Sequence, residues 1–119
     1  MRFLTLIRIN ENSGQAPDER LMTEMGKLIE EMKEAGVLID TAGLAPTKDG
    51  KRLRLSKGRV KATDGPFTET KEVIGGYFMH KAASTEEAVR WMERFLETHG
   101  DQWEVECEVR PLDPHFSDL

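Results

Sequence analysis

Cysteine is almost absent from this chain: Cys107 is the only one in 119 residues, so no disulfide can close within it. A disulfide-stapled fold is thereby excluded, and a reducing cytoplasm is the expected setting. Histidine is scarce as well. His80, His99 and His115 all lie in the second half, and none stands at ligand spacing from a carboxylate cluster. No dedicated metal site and no cofactor are therefore expected. No apolar stretch approaches the roughly 20 residues of a membrane span, and the run after Met1 is too short for a secretory core. Nor is there an excess of positive charge. The formal net charge of -5 argues against nucleic acid as the partner of the whole chain.

What is present is enough for one core. The chain is expected to form a single domain over residues 1–119, with 112–119 as a C-terminal tail. A chain of this size buries roughly two-thirds of its unfolded surface, so it needs no metal or disulfide to hold it. Residues 2–9 read as a short strand apolar on both faces, with Phe3, Ile7 and Ile9 on one side and Leu4 and Leu6 on the other. From Pro17 to Ala35 the period becomes helical, through Leu21, Met22, Met25, Leu28, Ile29 and Met32, and Gly36 follows as a C-terminal stop. A strand from Val37 to Leu44 comes next.

Residues 52–56 and 59–63 flank Lys57-Gly58 as a hairpin, with Leu53, Leu55 and Val60 on one face and Arg52, Arg54, Arg59 and Lys61 on the other. The stretch from Glu72 to Ala82 reads as a second two-faced strand. Strict alternation puts Val73, Tyr77 and Met79 on one face, and Ile74, Phe78 and His80 on the other. Gly75-Gly76 in its middle implies close approach of another backbone or a ligand. Ser84-Thr85-Glu86-Glu87 is a capping box opening a helix that stops near Gly100. The last strand alternates Trp103, Val105, Cys107 and Val109 toward the core with Glu104, Glu106, Glu108 and Arg110 away from it.

Without the hairpin the order is β-α-β-β-α-β, which predicts a ferredoxin-like α+β fold. Its four-stranded antiparallel sheet has the first and third strands central and both helices on one face. Helices on one face leave Leu4 and Leu6, or their counterparts, uncovered. A second copy packed sheet to sheet would cover them, so a homodimer is expected.

The run Asp64-Gly65-Pro66-Phe67-Thr68-Glu69-Thr70-Lys71-Glu72-Val73-Ile74-Gly75-Gly76-Tyr77 resembles the defining segment of the DGPF branch of YCII-related proteins. The apolar first strand, the preceding hairpin and Glu108-Val109-Arg110-Pro111 match as well, so the resemblance spans nearly the whole chain. It implies a dimeric α+β barrel fold and a bacterial protein of no established general activity. Some genes of the family neighbour sigma factors, which implies a possible sigma-factor association. Relatives in the broader group use a His–Asp pair and include a dehydrochlorinase. This chain has no histidine in its first strand or first helix, so that chemistry is not carried over.

Two functional readings follow, one from the residues and one from the resemblance. In the first, a cofactor-independent enzyme acts on a small anionic or oxygenated molecule in a cleft between the sheet and a dimer partner. Glu72 or Asp64 moves a proton, with His80 the one histidine placed for proton transfer. Lys71, Arg110, Tyr77 and Glu69 line the ligand, and Glu72 is expected to pair with Arg110, either as part of the site or as a buried pair that fixes strand register. In the second, which the family's gene neighbourhood implies, the chain is a non-catalytic ligand-sensing or protein-interaction module linked to sigma-factor-dependent transcription, with its charged hairpin and tail (Leu112 to Leu119) as contact surfaces. Asp64-Gly65-Pro66-Phe67 itself reads as a turn, with Asp64 accepting from loop amides and Phe67 plugging the core.

Overall fold

The computed structural model describes residues 1–116. Its elements are β1 (Arg2–Ile9), α1 (Glu19–Glu34), β2 (Leu38–Gly43), β3 (Lys51–Ser56), β4 (Arg59–Asp64), β5 (Val73–Lys81), α2 (Thr85–Glu97) and β6 (Glu106–Pro111), with a 3-10 turn at Thr47–Asp49. Strands β2-β5-β1-β6 form one antiparallel sheet in that order, and β3 and β4 form a separate ribbon. The two strands that are apolar on both faces are the central ones, as their patterning predicts.

Capping chemistry sets the helix starts. Asp18 accepts from the Leu21 amide, so α1 begins at Glu19, after Pro17. Ser84 accepts from the Glu87 amide, and the Glu87 carboxylate reaches back to the Ala83 amide. Both helices lie on one sheet face. Leu28, Met32, Met92 and Phe95 meet Phe78 there, with Ile7, Leu38, Cys107 and Val109 around them. Burial of several large apolar side chains, each worth about 1.5–3 kcal/mol, holds this layer together. Arg94 adds a paired hydrogen bond from α2 to Glu31 of α1. Cys107 is part of this packing, and burial together with nearby Glu106 pushes its thiol up to about 11. No helix among the described residues is long and apolar enough to cross a membrane.

A bulge corrects the alternation expected along β5. Ile7 pairs with Gly76 but Arg8 pairs with Ile74, so Gly75 is an extra residue. Val73, opposite Ile9, therefore shares the helix face with Phe78 and His80. Ile74 shares the open face with Tyr77 and Met79. The glycines are needed for this geometry: a Cβ on Gly75 would stand 2.5 Å from the Ile9 Cδ1, and one on Gly76 would stand 2.9 Å from the Ala42 carbonyl oxygen. Close approach by a neighbouring strand and side chain, not by a ligand, accounts for the pair. The strand also begins one residue later than expected, leaving Glu72 outside the sheet. In the same way β6 begins at Glu106, leaving Trp103 to Val105 before it.

His80 is fully buried on the helix face beside Phe3 and hydrogen-bonds Thr5 Oγ1 through Nε2 at 2.8 Å, while its Nδ1 has no partner. Burial holds its pKa below the ordinary histidine value. The unfolded chain thus takes up a proton that the native state resists. The stability this residue supports is full above about pH 6.5, the ordinary histidine value, and is lost as pH falls below it toward the depressed native value. Thermal melts are expected to show a fall in stability on acidification through this window, and the fall should shrink in His80→Leu. An unchanged acid slope in H80L would contradict this account.

Candidate functional site

The open sheet face carries Leu4, Leu6 and Arg8 of β1. Opposite them stand Met79, Tyr77 and Ile74 of β5, and Arg110, Glu108 and Glu106 of β6. At the Arg8 end of this face the β3–β4 ribbon is rooted, and its attachment decides the local chemistry. Pro46 leads into the turn at Thr47–Asp49, and Gly50 closes it by donating to the Thr47 carbonyl. The Gly65 amide donates to the Gly50 carbonyl at 3.0 Å. A Cβ on residue 65 would lie 1.6 Å from the Thr47 oxygen, so only glycine fits there.

Thr47 extends the attachment in two directions. Its hydroxyl accepts from the Phe67 amide at 3.0 Å and donates to Glu11 Oε2 at 2.5 Å, while its amide donates to Glu11 Oε1 at 2.9 Å. These bonds, first that from the Thr47 hydroxyl, lower the Glu11 pKa. The loop after β1, the turn before the ribbon and the segment after it are thus joined at one threonine.

This root forms one wall of a cleft of about 510 Å³. Arg8 and Arg52 line it together with Asp49, Thr70 and Glu72, over an apolar surface of Leu44, Pro46, Phe67, Val73 and Ile74. Arg52 stacks over the Phe67 ring at 4.1 Å and pairs with Glu69. Glu69 has its pKa lowered, first by a backbone hydrogen bond and then by Arg52. Arg8 donates to Glu108 at 3.1 Å, both side chains about one-third exposed. Two guanidinium groups, each braced by a carboxylate, therefore flank an apolar wall. Glu72 forms no ion pair or hydrogen bond among the described residues. A second cleft of about 710 Å³ lies beyond the shared wall of Leu44–Pro46 and Val73–Ile74. Its lining includes Glu11, Asp101, Glu104 and Trp103 but no lysine or arginine. Among the described residues, no three of His, Cys, Asp and Glu converge in a metal-binding arrangement.

The residues singled out from the sequence are not gathered in one place. Glu72 lines the smaller cleft. Arg110 stands opposite Leu4, five residues along β1 from Ile9, where Val73 pairs. At about 3.4 Å per residue that separation is roughly 17 Å, so the expected Glu72–Arg110 pair does not form. Arg110 instead approaches Glu108 at 3.8 Å. Tyr77 is on the open face and donates to Asp40 Oδ2 at 2.7 Å, and that bond raises its pKa. His80 faces the helices, with no exposed surface. Asp64 is exposed and 3.4 Å from Lys51 Nζ, rather than capping its own loop. Lys71 is exposed and lines neither cleft. Glu69 contributes indirectly, by holding Arg52. Phe67 belongs to the cleft wall, outside the two buried clusters of the core.

Arg8, Arg52 and Thr47 were not legible as site residues. Arg8 gave one signal, a charge on the same strand face as Leu4 and Leu6. Arg52 was hidden among the other hairpin cations.

The YCII-related domain model matches residues 1–106. A curated relative from Rhizobium meliloti (strain 1021), the uncharacterized protein R00369, is 36% identical over 95 residues, covering 80% of this chain and 75% of the relative. The chain belongs to the YCII-related family.

Gly65→Ala is expected to cost about 3 kcal/mol, since the new methyl must displace the Thr47 backbone. Chemical denaturation measures it. A G65A protein of unchanged stability would show that the close approach is not fixed.

Proposed function

We propose that this YCII-related protein binds a small anionic molecule with an apolar body in the cleft between β1 and the ribbon root, and that Glu72 exchanges a proton with it. The observation carrying this reading is the convergence of Arg8 and Arg52, from two separate elements, on one apolar wall beside an unpaired carboxylate. A carboxylate or phosphate can take two parallel hydrogen bonds from a guanidinium, which rewards such an anion over a neutral ligand. The apolar wall would hold the rest of the molecule. Glu72 is then within the same cleft and free to accept a proton, which suits isomerisation or elimination without a cofactor. The larger cleft, lacking any cation, suits an anion poorly.

The reading includes a second copy of the chain. Leu4, Leu6, Tyr77 and Met79 have no cover from either helix, and two copies set open face to open face would cover them and narrow the cleft mouth. It also takes the protein to be a cytoplasmic member of the DGPF branch. Support comes from the Asp64-to-Tyr77 segment and from a lone, half-buried cysteine packed against the core.

A thermal-shift screen of small carboxylates and phosphates is expected to find stabilising ligands. Arg52→Gln and Arg8→Gln should each weaken their binding about 10- to 100-fold. Glu72→Gln should leave binding within a few-fold but lower turnover about 100-fold or more. Ligands that bind R8Q and R52Q as well as the parent would place the site elsewhere.

A further inference from the structure

We infer that the ligand of the smaller cleft carries a second anionic group, and that Arg54 and Lys61 of the β3–β4 ribbon receive it. The inference rests on the anion-binding reading above and narrows the ligand to a dianion. Register on the ribbon sets Arg52 opposite Thr63, Arg54 opposite Lys61 and Ser56 opposite Arg59. Side chains at these positions share one face, whereas Leu53, Leu55, Val60 and Ala62 form an apolar stripe on the other. Arg52 identifies the basic face as the one turned to the cleft, since it lines that cleft and stacks over Phe67 there. Arg54 and Lys61 are therefore the next cationic rung outward. They stand about 7 Å beyond Arg52, two residues along a strand.

Pairing separates this rung from the root of the ribbon. At the root, Lys51 lies 3.4 Å from Asp64 and Arg52 pairs with Glu69. Among the described residues, Arg54, Arg59 and Lys61 have no ion pair and no side-chain hydrogen bond. Arg54 and Lys61 are moreover like charges directly opposite each other, which disfavours strand pairing. A separate two-stranded ribbon has little stability to spare for such a rung. Residues 51–64 hold six lysines and arginines against one carboxylate, Asp64, in a chain of net charge -5. The sign of the surface thus reverses where the ribbon leaves the cleft.

An anion seated between Arg54 and Lys61 removes their repulsion, while the other end of the same ligand meets Arg8 and Arg52. Two cationic points a fixed distance apart select a ligand by the spacing of its charges. Nucleic acid suits the ribbon less well, because residues 51–64 include no aromatic side chain on which a base could stack. A charged edge that merely resists aggregation gains nothing from continuity with a cleft.

Calorimetric titration of the full chain tests this with matched probes. Heptanoate is compared with pimelate, and propyl phosphate with the bisphosphate of the same three-carbon chain, so the two arms tell carboxylate from phosphate. In at least one pair the dianion is expected to bind about 10-fold more tightly than its monoanion, an advantage of the size exposed contacts supply. R54Q/K61Q should abolish that advantage, leave monoanion affinity unchanged and cause no fall in melting temperature, since a repulsive rung is removed. Arg54→Glu is a second variant that pairs with Lys61 across the ribbon, and it too should abolish the advantage. Arg8→Gln and Arg52→Gln should weaken both members of a pair alike. Equal affinities within both pairs, or a dianion advantage that survives R54Q/K61Q and R54E, would overturn the inference and leave the cleft reading standing. Monoanions that fail to bind, or that bind R8Q and R52Q as well as the parent, would instead overturn the cleft reading and the inference with it.

Discussion

The Thr47 carbonyl occupies the space that a side chain on residue 65 would need. The chain leaving the ribbon can pass against the turn that enters it only because residue 65 is glycine. The same threonine uses its hydroxyl and amide to bind Phe67 on one side and Glu11 on the other. Loosening this contact would free the ribbon root, and with it Arg52 and Phe67. The cleft, its second arginine and the direction of the apolar stripe all follow from this one junction. Each bond at the junction contributes only about 1 kcal/mol net. Its importance lies in where it is, since among the described residues no large apolar cluster holds the ribbon to the body.

The two sheet faces divide the work. The helix face is a packed core in which even the polar groups, Thr5 and His80, bond each other and are sealed from solvent. The open face is apolar in the middle and charged at its rim, with Arg8 braced by Glu108 and Tyr77 braced by Asp40. Such bracing is weak as a source of stability, because exposed pairs contribute about 0–1 kcal/mol. It does orient the charged groups in advance, which lowers the cost of binding an anion beside them.

Much of the architecture was legible in local patterns. Helical spacing from Leu21 to Met32, the cap at Ser84 and the two-faced apolar strands are signals carried by neighbouring residues, and they led to the observed strand order. The Gly75 bulge was not legible, because alternation continues through the sequence while the pairing slips by one residue. That slip alone moved Val73 and Ile74 to opposite faces. The site was less legible still. Glu72 and Arg110 look like partners in a list of strand residues, but strand register puts them at opposite ends of β1. Thr47 and Arg52 matter through contacts across 18 and 17 residues, with Gly65 and Glu69. No periodicity reports such contacts.

The central claim is that Thr47 joins the ribbon to the body, and amide exchange in Thr47→Val tests it most directly. Valine keeps the shape of threonine while removing the hydroxyl that serves both Phe67 and Glu11. The account predicts that amides from residue 51 to residue 67 exchange about 10- to 100-fold faster, while those of Leu28 and Met92 in the core keep their protection. Unchanged protection at Gly65 and Phe67, or an equal loss throughout both helices, would contradict it.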